Sequence, residues 1–317
     1  MSELVTVIMP VFNGAATLEA SIQSALRQTW PSIELIIVDD GSTDGSGEIA
    51  ERHVGTNVQL IRQPNAGASI ARNAALAKAK GRFLQYLDAD DLVDAHKIEA
   101  QIEALRAAPD SLASCPWGRF SGSDVTAAEF VPDKLWNDLA PLEYVLTAHE
   151  EELFTAPVAW LVPRPVADRA GPWARMRARN DDAEYFTRAL LQSTGTRFVQ
   201  SARAYYRSGH AGLSAAMDEP AIRGYLWTLE EIARMVLERS DTPRARHALA
   251  TSFEHFVNVA STRYPAFARD GGRWVDRLGG RHFVRRTLST PLRVSAQLLG
   301  WRSGRRLQRL YHTLRGR

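Results

Sequence analysis

Near the start of the chain the apolar positions alternate between two periods. Val5–Met9 is a short apolar run, and Gly14–Gln28 follows with Leu18, Ile22, Ala25 and Leu26 at the three- and four-residue spacing of one helix face. Ile33–Val38 is rich in β-branched residues and runs into Asp39 and Asp40. Thr43–Val54 predicts a helix, Val58–Ile61 a strand, Ala68–Lys80 an Ala-rich helix, Phe83–Leu87 a strand closing on Asp88, and Lys97–Ala107 a helix. Strands alternating with helices predict βαβ units and a mostly parallel sheet. Near-continuous apolar strands predict that helices cover both faces of that sheet. Residues 110–165 mix short strands with Pro- and Trp-containing loops. Asp181–Gln192 then predicts a helix and Thr196–Arg207 a strand, and the rest turns helical at Tyr225–Arg239 and Arg244–Val259. The fold class is therefore α/β with a helical C-terminal extension.

Composition changes this picture in three places. With 317 residues, 45% hydrophobic and 24% charged, the chain suits one large domain or a catalytic domain with an appendage. Cys115 is the sole cysteine, which rules out an intrachain disulfide and fits a reducing compartment. The N-terminus MSELVTVIMPVF lacks a basic stretch and a small-residue cleavage site, so no signal peptide is expected. The longest uncharged apolar stretch, Leu153–Pro163, is too short to span a bilayer, so a cytoplasmic protein, soluble or peripheral on the inner face of the membrane, is expected. The net charge of +3 hides an asymmetry: residues 271–317 hold 12 Arg, no Lys and one acid, Asp276, while residues 1–270 sum to −8.

In open α/β sheets ligands bind beyond the carboxyl ends of the strands. Those ends here read Pro10-Val11-Phe12-Asn13-Gly14, Asp39-Asp40-Gly41-Ser42, Gln63-Pro64-Asn65-Ala66-Gly67 with Arg72 in the following helix, and Asp88-Ala89-Asp90-Asp91. Polar and acidic groups converge on one edge. Neither a GxGxxG nor a Walker loop is present, which argues against a Rossmann dehydrogenase or a P-loop enzyme. Asp88 and Asp90, two residues apart in extended chain, suit a hard divalent cation, Mn or Mg, whose shell substrate phosphates complete.

The pieces VTVIMPVFNG, IELIIVDDGSTDGS, RQPNAGASIARNAAL and GRFLQYLDADD occur in order between Val5 and Leu92, and as a set they resemble the nucleotide-binding half of the family 2 glycosyltransferases. The resemblance implies a GT-A-like sheet and inverting transfer of a sugar from a nucleotide-sugar donor, with UDP expected, to a glycan or glycolipid acceptor in surface polysaccharide or glycolipid assembly. It implies that Pro10, Phe12 and Asp39 line the base and ribose pocket. Asn13 and Asp40 stand beside them, Arg72 and Asp88 contact the nucleotide, and Asp90 binds the metal that bridges the diphosphate. In that family an acidic pair opening a helix, with an Arg six residues after the second acid, supplies the base. Asp181 and Asp182 are that pair, Arg188 follows six residues after Asp182, and either acid remains open as the base. Tyr206-Arg207-Ser208-Gly209-His210 resembles the stretch near the diphosphate, with Arg207 reaching a phosphate and His210, displaced by one residue, as a metal ligand. Trp160 and Trp173 fall where the family builds its acceptor side and are candidates to stack on a sugar.

The expected organisation is a catalytic domain over 1–215, made of a nucleotide-sugar-binding half (1–92) and an acceptor half with the base (93–215). A helical extension (216–270) and a basic amphipathic tail (271–317) follow. The alternative, an inactive glycosyltransferase-like module that only binds nucleotide or carbohydrate, would be expected to have lost the base or the D-x-D, and both are present. A nucleotidyltransferase would carry a Gly-rich basic loop after the first strand, where this chain has Pro-Val-Phe-Asn-Gly. From Arg281 on, apolar and Arg positions recur at three and four residues, so the tail either lies on an anionic membrane or packs its apolar face on the domain. No nucleic-acid module accompanies its arginines, so no nucleic-acid partner is expected.

Overall fold

A computed structural model describes residues 3–208 and 216–280. In chain order the first elements are β1 (Val5–Val11), α1 (Ala15–Leu26), β2 (Ile33–Asp39), α2 (Ser46–Glu51), β3 (Val58–Arg62), α3 (Ala68–Leu76), β4 (Phe83–Tyr86), β5 (Leu92–Val93) and α4 (Lys97–Arg106). Next come β6 (Leu112–Ser114), β7 (Trp117–Phe120), β8 (Glu129–Phe130), α5 (Pro141–Glu150), β9 (Val162–Pro163), α6 (Arg164–Ala170), α7 (Asp181–Leu191), β10 (Thr196–Phe198) and β11 (Ala204–Arg207). Three helices close the described chain: α8 (Glu219–Arg239), α9 (Pro243–Ala260) and α10 (Pro265–Arg277). The described residues divide into two compact units, one of residues 3–148, 153–208 and 216, the other of 149–152 and 217–280.

The first unit is built on a five-stranded sheet of order β3-β2-β1-β4-β9, parallel except for β9. Every residue of β1 and all but Ile33 of β2 are buried, as strands covered on both faces must be. Each fully buried Val, Leu or Ile contributes roughly 1.5–3 kcal/mol, so the run Leu35–Val38 is a large part of the driving force. A second sheet, β5-β11-β7-β8, and a pair, β10-β6, extend this unit. The strand expected over Thr196–Arg207 is thus two strands in different sheets, separated by a turn in which Ala202 N–H donates to Val199 O. Between β4 and the 157–160 segment lies a buried lysine: the Lys97 ammonium donates to Oε1 of Gln85 (2.5 Å) and of Gln101 (2.7 Å). Gln85 and Gln101 in turn donate to the carbonyls of Val158 and Ala159. With no carboxylate beside it, burial pulls the Lys97 pKa down to about 8.

Two helices are shorter than their patterns predict, for local reasons. Thr43 and Ser42 stay outside α2 because side chains of Asn13 and Asp39 take their N–H groups, and Gly45, at φ 91°, sets the turn into the helix. Helix α3 stops at Leu76 because the chain must turn into β4, and buried Glu34 accepts Lys80 N–H at 2.6 Å.

The second unit is a set of three helices. Asp218 and Thr242 cap α8 and α9 by accepting from Ala221 N–H and Ala245 N–H, each cap followed by proline in the first turn. Trp274 of α10 stacks on Phe253 of α9 at 5.2 Å and donates its indole N–H to Glu230 of α8. Gly271 permits this approach, since a Cβ there would stand 2.7 Å from the Phe256 ring. Helix α10 runs through position 271, where the charge composition changes. Among the described residues no helix is long and apolar enough to cross a membrane. Residues 281–317, the Arg-rich part of the tail, lie outside the described residues.

Candidate active site

The ends of β1 and β2 lock each other's loops. Asn13, at φ 51°, accepts Thr43 N–H through Oδ1 at 2.8 Å, and its own N–H donates to Ser42 Oγ. Asp39 accepts Ser42 N–H at 2.9 Å. Asp40 is fully engaged: Oδ1 accepts from Gln63 Nε2 and Ala66 N–H, and Oδ2 from Gly67 N–H at 2.8 Å. Asp40, expected beside the nucleotide, is therefore spent on the loop that launches α3. Pro10 is buried within β1, in register with Val38, whereas the Phe12 ring is 52% exposed at the strand end, where a flat base could stack. Gly41 sits at φ +80°, and a Cβ there would lie 2.8 Å from Asn65 N. Gly41→Ala should displace the 63–67 loop and lower stability by about 1–3 kcal/mol, as thermal melting would report.

Arg72 is the hub of the site. It projects from α3, its side chain is buried, and it donates to Asp88 Oδ1 at 2.8 Å and to Asp181 Oδ2 at 3.1 Å. Its guanidinium lies 4.4 Å above the Trp173 ring. Ser69, one turn earlier on the same face of α3, donates to the same Asp181 oxygen at 2.6 Å. The two carboxylates raise the Arg72 pKa despite its burial. Asp182 lies next to this cluster at the start of α7. Burial first, then the Asp181 and Asp88 charges, push its pKa up to about 7, against the opposing pull of Arg72. The site thus divides the acidic pair: Asp181 is ion-paired, and Asp182 is the poised carboxyl.

The D-x-D segment is held from β11. Arg207 N–H donates to Asp91 Oδ1 at 2.8 Å, and its Nε donates to Asp90 O at 2.7 Å. The guanidinium also reaches Gly122 O and lies 4.4 Å over the Phe120 ring. To meet a phosphate, as the sequence led us to expect, Arg207 would have to leave both carbonyls. Asp88, Asp90 and Asp91 put three carboxylates within four residues, and Asp91 Oδ2 is buried without a hydrogen-bond partner. Burial and the charges of Asp90 and Asp88 push Asp91 well above the usual carboxylate range. This excess of negative oxygen fits a hard divalent cation. Among the described residues no group of three His, Cys, Asp or Glu side chains is arranged to enclose an ion. Asp90 and the second oxygen of Asp88 would therefore need diphosphate oxygens and water to complete a shell. His210 lies outside the described residues.

Trp160 and Trp173 are not a sugar platform. Both are 1% exposed: Trp160 stacks on Phe186 at 5.4 Å, and Trp173 on Tyr185 at 4.1 Å, beneath α7. Tyr185 and Tyr86 share a hydrogen bond between their hydroxyls at 2.5 Å, which ties α7 to β4. Sequence reasoning missed this aromatic footing, and it missed Ser69 and Asp91. The spacing of Ser69 and Arg72 by one turn was the available signal for the first, and the extra acid after D-x-D for the second.

A mostly parallel sheet whose strand ends gather Phe12, Asp39 and the acidic 88–91 loop, with Arg72 joining Asp88 to the start of α7, has the arrangement of a GT-A glycosyltransferase. The chain belongs to glycosyl transferase family 2, whose family model matches residues 6–170. It is 40% identical over 102 residues to glycosyltransferase GlyG of Streptococcus pneumoniae, a match covering 31% of this chain and 34% of that one. It is 27% identical over 234 residues to an uncharacterized glycosyltransferase, EpsJ, of Bacillus subtilis, covering 71% and 67%. It is 41% identical over 103 residues to the UDP-Glc:alpha-D-GlcNAc-diphosphoundecaprenol beta-1,3-glucosyltransferase WfgD of Escherichia coli, covering 32% and 41%. The match thus spans about a third of the length of GlyG. Among solved structures, S. aureus TarS 1-349 in complex with UDP-GlcNAc superposes with a TM-score of 0.62 at 16% identity, covering 90% of this chain and 95% of that one. Mannosyltransferase PcManGT from Pyrobaculum calidifontis, in complex with GDP-Man and Mn2+, has a TM-score of 0.54 at 18% identity, covering 99% and 83%.

Proposed function

We propose that the chain transfers a sugar, with inversion, from a UDP-sugar to an acceptor hydroxyl in surface polysaccharide or glycolipid assembly, with Asp182 as the base. The observation that carries this reading is the division of labour around Arg72. Asp181 and Asp88 are both ion-paired to one guanidinium, while burial and the charges of those two carboxylates push the Asp182 pKa up to about 7, suited to accepting a proton near neutrality. Asp182 takes the acceptor proton as the hydroxyl oxygen bonds to the anomeric carbon and the bond from that carbon to the diphosphate breaks. A single displacement inverts the anomeric centre. Phe12 offers a face for the base, and the Asn13–Asp39 loop lock shapes the wall beside it. Asp90 and Asp88 would hold a Mn or Mg ion, whose chemistry is to offset charge on the departing diphosphate. TarS, GDP-Man-bound PcManGT and WfgD support a nucleotide-sugar donor; the choice of UDP rests on the resemblance and on Asp39 as a partner for a uracil N–H.

Nucleoside diphosphate release from a panel of UDP-, GDP- and dTDP-sugars, with and without Mn²⁺ or Mg²⁺, tests the reading. Release from UDP-sugars that stops in excess chelator is expected; tighter GDP binding or full activity in chelator overturns the donor or metal assignment. Asp90→Ala should remove the metal-dependent part of UDP affinity while the melting temperature stays within a few degrees, because Asp90 lies half-buried in the turn after β4, outside the core.

We also propose that the tail beyond Arg281 seats the enzyme on an anionic bilayer, each basic residue near the surface adding about 1 kcal/mol. The full chain should sediment with vesicles containing anionic lipid at low salt and be released as salt rises. Equal behaviour with neutral and anionic vesicles at low salt would assign the tail to packing on the protein.

A further inference from the structure

The expected acceptor-side tryptophans are buried, yet the first unit presents another aromatic surface that the donor chemistry does not use. On one face of the second sheet, Trp117 and Arg119 of β7 alternate with Ala204 and Tyr206 of β11, and Arg119 is the register partner of Tyr206. Phe154 closes the group: its ring centroid is 4.9 Å from Trp117 and 6.3 Å from Tyr206. The Arg119 guanidinium lies over all three rings, 5.2 Å from Trp117, 5.1 Å from Phe154 and 5.5 Å from Tyr206. Glu129 stands opposite it across β7 and β8, but among the described residues no ion pair joins them. Arg119 is exposed, and Phe154 is 42% exposed. Trp117 is 8% exposed, and its indole N–H is buried without an acceptor.

We propose that Trp117, Arg119, Phe154 and Tyr206 form an acceptor subsite for a sugar bearing an oxyanion group, phosphate or carboxylate. The proposal rests on the glycosyltransferase reading above. An exposed arginine ordinarily loses much rotamer freedom on binding an anion. Three rings hold this one in place beforehand, so its planar donor edge is pre-organised for two parallel bonds to an oxyanion. The open face of Phe154 suits the C–H face of a pyranose ring, as aromatic faces on sugar sites do. The Trp117 indole, 8% exposed with its N–H buried, floors the subsite and reports its occupancy. The subsite and the D-x-D loop share one strand: Tyr206 directly precedes Arg207 in β11, and Arg207 holds Asp91 and Asp90 O. A bare hydrocarbon would leave the Arg119 charge unanswered, and a free anion would leave the ring face uncovered. A charged sugar answers both.

The test uses the full chain labelled with 15N at the tryptophan indoles, the Trp117 signal being identified by its loss in Trp117→Phe. Glucose 1-phosphate, glucuronate, glucose and inorganic phosphate are titrated in turn, with and without saturating UDP and Mg²⁺. The Trp117 signal should move saturably with glucose 1-phosphate, glucuronate or both, at least about fivefold tighter than with glucose or inorganic phosphate. The first alone identifies phosphate as the recognised group, the second alone carboxylate. Arg119→Gln should reduce that preference to less than about twofold, with the other indole signals in place to report the fold. A Trp117 signal unmoved by every probe overturns the proposal. So does an equal response to inorganic phosphate and glucose 1-phosphate, or a preference that survives Arg119→Gln. UDP titration of the same sample reports separately: UDP binding with no probe response removes the subsite and leaves the donor reading, and probe response without UDP binding does the reverse.

Discussion

Asp182→Asn should abolish turnover and at the same time stabilise the protein above neutral pH. Loss of a general base costs on the order of 10²–10⁴ in rate, while UDP binding should persist because the change removes one ionisable proton site and almost no volume. The stability effect follows from the raised pKa. An unfolded aspartate ionises near 3.8, whereas in the folded chain Asp182 holds its proton up to about 7. Between those values the folded state binds more protons than the unfolded one, so stability falls as pH rises. Asparagine has no such penalty. The variant should therefore melt at the same temperature as the natural chain near pH 3, and several degrees higher at pH 8. The difference corresponds to on the order of 2 kcal/mol, allowing for the water that reaches this half-buried carboxyl. In the natural chain kcat/KM should fall about tenfold per unit as pH drops below 7, since the base must be ionised. Asp181→Asn should differ in kind: it strips Arg72 and Ser69 of a partner, lowers stability and weakens donor binding. If Asp181→Asn melts higher while Asp182→Asn turns over normally, the roles are reversed.

Arg72→Met should be among the most destabilising single changes in the first unit. The guanidinium is ion-paired to two carboxylates from a buried position, and removing one partner of a buried ion pair typically costs about 3–5 kcal/mol. Asp88, Asp181 and Asp182 would then face one another without the Arg72 guanidinium, so UDP binding in the presence of metal should be lost. The midpoint of urea unfolding and calorimetric titration with UDP measure the two effects. Arg72→Lys should not restore them, because a single ammonium cannot bridge Asp88 and Asp181 while lying flat on Trp173. Unfolding midpoints of Arg72→Met and Arg72→Lys within about 1 kcal/mol of the natural chain would remove Arg72 from its central place.

The order and type of the sheet elements in the first unit were legible from period alone, because β1, β2 and β4 are buried runs that no helix of that length would make, and α1 and α4 carry one apolar stripe each. The residues at the strand ends were legible for the same reason, since a parallel sheet delivers them to one edge. The sequence alone could not say how those residues spend their hydrogen bonds. Asp39 and Asp40 are adjacent and look alike, yet the 63–67 loop takes up the carboxylate of Asp40 and meets Asp39 at its backbone carbonyl. Asp181 and Asp182 are also adjacent, and only the docking of α3 against the start of α7, 109 residues apart in the chain, pairs one with Arg72 and leaves the other to carry a raised pKa. Trp160 and Trp173 look like platforms in the sequence and are packing in the structure, while Trp117, Arg119 and Phe154 meet only because β7 and the loop after α5 come together in space. Periodicity reports which side of an element meets water or core, a property set within a few residues. Charge neutralisation, proton affinity and the make-up of a shared surface depend on groups tens of residues apart, and those only tertiary contact brings together.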